Sequence, residues 1–194
     1  MPRRDPLIDR RAAFQARQMQ ALSQVMMRLL FSSPRLQFAT VPTAKPTTVT
    51  IPTRHGPMRA LAYAPTARHI ARHRTAGSRP PVHLILHGGA FIVRLPQQED
   101  NVARYLASEV GCSVVLPDYD TAPQVRFPVA EEQAYDAYRW VRDQAEHRGW
   151  DLDRVSVGGG SAGGKLAVNV ALMAIDDDYH RFGLGGCGAA VRAR

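Results

Sequence analysis

Short, continuously apolar runs alternate along this chain with longer stretches of helical spacing. "PVHLILH", "CSVVLP" and "DRVSVG" are the runs, and their length and turn-rich flanks predict buried strands. Between the first two, "QEDNVARYLASEVG" places apolar residues three and four apart and closes on Gly111. Between the second and third, a helix is predicted over 129–148, "VAEEQAYDAYRWVRDQAEHR". Glu131 and Glu132 fall in its first turn and Arg148 in its last, as the helix dipole favours. A further helix begins near Ala162 and runs to about Ile175. Strands alternating with helices connect by right-handed crossovers, giving a mostly parallel sheet with helices on both faces. The fold class is α/β.

Upstream the pattern differs. "TTVTIPT" and "MRALAYA", joined by "RHGP", predict an antiparallel hairpin. Residues 7–31 predict an amphipathic helix on which Leu22, Val25, Met26, Leu29 and Leu30 form one stripe. That stripe is expected to pack on the core or as a lid, with a membrane-surface helix the lesser reading. "FSSPRLQFATVPTAKP" reads as a connector, and "RHIARHRTAGSRP" as a polar surface loop.

Composition narrows the classes. At 194 residues the chain can hold one substantial core. The net charge of +8 comes from arginine and concentrates in "PRRDPLIDRR", "RHIARHRTAGSR" and the final "RAR". Basic stretches can meet nucleic acid or anionic lipid. No aromatic platform lies between these charges, so solvated faces are expected, with no nucleic-acid partner and no support for membrane contact. Cys112 and Cys187 have neither metal-ligand nor disulfide-framework spacing, which fits a reducing cytoplasm. No metal site is expected. No apolar run has signal-peptide or membrane-span length, and no repeat is visible.

The chemistry concentrates in "RVSVGGGSAGGKLAV", residues 154–168, a strand, a glycine-rich turn and a helix. A phosphate loop would use Gly159 to Lys165, but Leu166 stands where a magnesium-binding hydroxyl is required. A dinucleotide fingerprint would use Gly158, Gly160 and Gly163, with Asp176, Asp177 or Asp178 toward the ribose. Only 31 residues follow Gly163, and they hold no second strand pattern. A nucleophile elbow would use Gly159-Gly160-Ser161-Ala162-Gly163, where small flanking residues let the backbone turn tightly at a helix N-terminus. "LILHGGAF" favours the third reading. His87-Gly88-Gly89-Ala90 follow an apolar strand, and residues that small let backbone N–H groups approach a carbonyl oxygen beside the Ala162 amide.

With these pieces in place the chain resembles the hormone-sensitive-lipase-like branch of the α/β-hydrolase family of esterases and lipases. "DYDTAPQVRFPVA" is similar to that family's block before the long helix, and "DLDRVSVGGGSAGG" to its approach to the elbow. The likeness runs from about residue 45 to 173, with the N-terminal helix a looser match to the family's cap. It implies a cap segment over 1–44, an incomplete α/β-hydrolase core over 45–175 and a divergent tail over 176–194. Ser161 would be the nucleophile. Gly88, Gly89, Ala90 and Ala162 would form the oxyanion hole, His87 would order its loop, and Gly159 and Gly163 would shape the turn. No cofactor is implied, and the substrate class is a carboxylic ester.

Two departures qualify the likeness. Gly160 stands where the family has an acid before the serine, which loosens the turn. The family's acid and histidine follow the serine on later strands, but here only His180 follows it. A helix ending at Ile175 would leave its far end about 20 Å from Ser161, and five extended residues return at most about 17 Å. His55, His69, His73, His83 and His147 lack an acid partner aimed at the elbow. The resemblance fades after "ALMA", so the reading is of a C-terminally truncated hydrolase, weak or inactive, with "RVSVG" an open edge inviting self-association. The rivals are a non-catalytic binding protein and a dinucleotide-binding module.

Overall fold

The computed structural model describes residues 6–181 except 32, 34, 35 and 38. The predicted tail beyond 181, Cys187 included, lies outside the described residues. Helix α1 spans Pro6–Phe31, the hairpin strands β1 and β2 span Thr47–Thr53 and Gly56–Tyr63, and α2 spans Ala67–Thr75. Strand β3 covers Val82–Leu86. A 3-10 turn at Pro96–Glu99, helix α3 at Asp100–Tyr105 and a π turn at Leu106–Val110 form one continuous helical stretch up to β4, Ser113–Pro117. Then come α4, Val129–Gln144, strand β5, Val155–Gly159, and α5, Ala162–Arg181.

The five strands form one mixed sheet in the order β1-β2-β4-β3-β5. β1, β2 and β4 pair antiparallel, while β4, β3 and β5 run parallel. Because side chains alternate across a strand, the apolar runs serve both faces at once. Val82, Leu84 and Leu86 of β3 join Val115, Trp140, Val141, Leu166 and Val170 on the face covered by α4 and α5. Ile85, Val114 and Leu116 pack with Leu61, Ala103 and Ala107 beneath α3 on the other. The α/β class follows the sequence reading, and the parallel pairings are those among the three apolar runs.

Three local expectations change. The stretch read as a polar surface loop contains α2, none of whose residues is buried. The breakers in "RHIARHRTAGSRP" lie only in its second half, where Gly77 turns left-handed at φ 62° and ends the helix. Arg72, His73 and Arg74 in the last turn suit the helix dipole. The long helix stops at Gln144, short of the predicted 148, and α5 continues past Ile175 to Arg181.

The third change concerns α1. Leu22, Val25, Met26, Leu29 and Leu30 do not enter the core, each being between 59% and 75% exposed, so of the two expectations core packing fails, while Met26 lines a cavity over the sheet's loop edge as a lid residue would. The helix docks instead through a face centred on the buried Gln20. Its amide nitrogen donates to Ile92 O at 2.7 Å, and Gln124 donates back to Gln20 Oε1 at 2.7 Å. The groove under α1 presents loop carbonyls that require donors, so the polar face outcompetes the apolar stripe for that contact.

β5 pairs with β3 on one side, and among the described residues nothing pairs with its other side. No described helix is long and apolar enough to cross a membrane.

Candidate active site

The register of β3 and β5 builds the site. Leu86 pairs with Gly159, so the loops that follow leave the same edge of the sheet side by side. At the end of β5 the chain turns through Gly160 and Ser161 into α5. Ser161 takes a left-handed φ of 51°, which a non-glycine residue adopts only where its surroundings enforce it. The enforcement is steric. A Cβ on Gly159 would stand 2.2 Å from Leu86 O, and one on Gly163 only 1.8 Å from the same atom. Gly163 N–H closes the turn on Gly160 O at 2.8 Å. Ala162, buried, opens α5, so its amide lies in the first helical turn, where N–H groups lack an intrahelical acceptor.

The facing loop begins at His87. Gly89, Ala90 and Phe91 take φ of 118°, 52° and 60° in succession, and Gly89 O accepts from Ile92 and Val93 N–H at 2.9 and 2.8 Å. The amides of Gly89 and Ala90 find no acceptor among the described residues. Gly88 lies close to the serine turn: a Cβ there would lie 3.1 Å from Gly160 O. Its own N–H points to Glu99 Oε1 at 3.5 Å.

His87 is fully buried and lies outside the cavity that Ser161 faces. Nδ1 is 2.8 Å from Gly88 O, and since a carbonyl only accepts, that nitrogen carries the proton. Burial pushes the imidazole pKa down to about 4, so the ring is neutral near pH 7. Tyr119 stacks on it at 4.0 Å and donates to His87 O at 2.5 Å. The rest of "DYDTAP" clamps the same loop. Thr121 Oγ1 donates to Ile92 O at 3.1 Å, and Ala122 N–H to Phe91 O at 2.7 Å.

Ser161 and Gly160 share a cavity of about 540 Å³ with Gly88, Gly89 and Ala90. Met19, Met26, Met27 and Phe31 of α1, with Ile92 and Val93, make the remaining wall apolar. Among the described residues Glu99 is the one titratable side chain lining it, and its burial raises the carboxyl pKa. A second cavity of about 550 Å³, between α4 and α5, is lined by Tyr135, Arg139, Arg142 and Asp177 among others. It has no elbow and no loop amides.

No histidine lines the cavity among the described residues. His55 bonds Glu132 at 2.5 Å, His69 bonds Ser108 O, His73 bonds Ser78, and His83 bonds Ser156 across β3 and β5 at 2.7 Å. α5 runs unbroken through residue 180, which carries that position about 28 Å along the axis from Ser161. Among the described residues no three His, Cys, Asp or Glu side chains form a metal-binding group. Sequence reasoning missed Glu99, which stands inside a run read only for its helical spacing.

Residues 83–186 match the family described as alpha/beta hydrolase fold. The chain is 43% identical over 88 residues to an ethyl acetate hydrolase of Pseudomonas putida, covering 45% of this chain and 28% of that protein. It is 38% identical over 91 residues to an arylesterase of Saccharolobus solfataricus, covering 47% and 30%. An esterase structure from Pyrobaculum calidifontis superposes with a TM-score of 0.70 at 35% identity, covering 84% of this chain and 48% of that one. The chain thus spans about half the length of that structure and under a third of the curated relatives it matches. The matched stretch contains both the glycine loop after β3 and the serine turn after β5, and the chain belongs to the alpha/beta hydrolase fold family, in the hormone-sensitive-lipase-like branch.

Proposed function

We propose that the chain carries the nucleophile and oxyanion side of a serine hydrolase for carboxylic esters. The observation that carries this reading is the shared cavity: Ser161 lines one apolar space with Gly89 and Ala90, whose amides have no acceptor among the described residues. Ser161 Oγ would bond the ester carbonyl carbon, and the amides of Gly89, Ala90 and Ala162 would hold the developing oxyanion, aided by the N-terminus of α5. Loss of the alcohol would leave an acyl-enzyme, which water then hydrolyses. Met19, Met26, Met27 and Phe31 would receive the apolar part of the ester. Relatives named for ethyl acetate hydrolysis and arylester hydrolysis support an ester as the substrate.

The described residues bring no histidine to Ser161, so turnover by this chain alone should be low. Binding and oxyanion donors without the base leave about 10³–10⁴ over the uncatalysed rate in other serine hydrolases. Labelling with a fluorophosphonate probe tests the reading. Slow modification, complete only after long incubation at high probe concentration and absent in Ser161→Ala, is the expected result. An unlabelled chain that circular dichroism shows to be folded would overturn it, and the non-catalytic alternative would replace it.

A further inference from the structure

The carboxylate of Glu99 sits at the seam between the two loops of the site. Oε1 lies 3.5 Å from Gly88 N on one side. On the other, it lies 3.7 Å from where a Cβ on residue 160 would stand. Gly88 and Gly160 are close enough that a Cβ on Gly88 would be 3.1 Å from Gly160 O. A half-buried carboxylate in an apolar cavity is costly unless something holds it, and Glu99 is held by the backbone of the loop that faces the serine. Gly160 has no side chain to compete for this place, although the resemblance implies an acid there.

We propose that Glu99 is a positioning residue for the oxyanion loop. By accepting the Gly88 N–H it fixes the loop's first peptide, which leaves the next two amides, of Gly89 and Ala90, turned to the cavity. It does so from the space beside Gly160, so a carboxylate at 99 and one at 160 exclude each other. The role in positioning amides for a tetrahedral intermediate rests on the function proposed above; the exclusion between positions 99 and 160 does not.

Four variants test it: Glu99→Ala, Glu99→Gln, Gly160→Asp and the double variant Glu99→Gln/Gly160→Asp. The first readout is the second-order rate of fluorophosphonate labelling at Ser161. Glu99→Ala should label about 10²-fold more slowly, the loss typical of one disordered oxyanion donor. Glu99→Gln keeps an oxygen able to accept from Gly88 and should stay within a few-fold of the parent. Equal loss in both variants, or parental labelling in a folded Glu99→Ala, would overturn the proposal. The second readout needs no activity. Gly160→Asp should lower the melting temperature by several degrees with Glu99 present and leave it nearly unchanged in the Glu99→Gln background. Equal shifts in the two backgrounds overturn the proposal even if Ser161 never labels.

Discussion

Leu86 and Gly159 end neighbouring parallel strands in register, and Gly163 then passes directly over the Leu86 carbonyl. One backbone oxygen therefore fixes both the height of the serine turn and the position of α5. The glycines of the motif are required by different contacts. Gly159 and Gly163 leave no room for a Cβ against Leu86 O, whereas a Cβ on Gly160 would meet only Glu99 Oε1, at 3.7 Å.

That contrast gives a paired prediction. Gly163→Ala must move either β3 or α5, and should cost upwards of about 3 kcal/mol, the top of the overpacking range. Gly160→Ala should change stability by less than about 1 kcal/mol, because ordinary van der Waals contact awaits it. Urea denaturation of the two variants distinguishes them. Equal costs would mean the turn tolerates a different path across Leu86.

The elbow, the glycine loop and the three parallel strands are all legible in the sequence, because continuous apolar runs and glycine-rich tight turns leave local marks. The docking of α1 is not. A stripe of Leu22, Val25, Met26, Leu29 and Leu30 predicts burial on that face, but the partner surface is a set of carbonyls that no hydropathy pattern reports. Glu99 is hidden for a similar reason: its meaning comes from Gly88 and Gly160, which lie 11 and 61 residues away in the chain. α2 was obscured by the breakers that end it.

Gln20 tests how α1 is held. Gln20→Ala removes a donor to Ile92 O, which keeps the Thr121 hydroxyl, and leaves Ala122 O and the Gln124 amide without their Gln20 partner, at a cost of about 1–3 kcal/mol to the docked helix. Local opening of α1 should rise about 5- to 150-fold, read as faster cleavage within α1 in limited proteolysis. Leu29→Ala, at a position 75% exposed, should leave the cleavage rate within the small range of surface changes. Faster cleavage in Leu29→Ala than in Gln20→Ala would show that the apolar stripe holds the helix.

The buried imidazole of His87 makes stability depend on pH. Its pKa falls from the usual 6.5 to about 4 because burial disfavours the charged form. Between those values the unfolded chain binds the proton and the folded chain does not, so stability is full above pH 6.5 and is lost as pH falls toward 4. The size is about 3 kcal/mol at most. Glu99 acts with the opposite sign: its carboxyl pKa is raised, so the folded chain gains stability as pH falls through that carboxyl's titration. Urea midpoints measured from pH 7 down to 4 should therefore drop more steeply in Glu99→Gln than in the parent. The slope from pH 6.5 to 4 should flatten in His87→Gln. A parent and a His87→Gln variant with equal slopes would place the titration elsewhere.

The open side of the molecule leads to the last prediction. β5 pairs with β3 alone among the described residues, and on the adjoining helix Val168, Leu172 and Ile175 are each about three-fifths exposed. An apolar helix face beside a free strand edge is a template for another chain. The purified chain should elute from size exclusion ahead of a monomer, with a position that depends on concentration. Val168→Glu/Leu172→Glu places two charges on that face without touching the core, since both side chains already meet solvent. Like charges brought together by association repel, so this variant should shift toward the monomer while keeping its circular dichroism spectrum. If the variant associates as strongly as the parent, the contact runs through another surface. The exposed stripe on α1, with Leu22 and Leu29, is then the face to charge next.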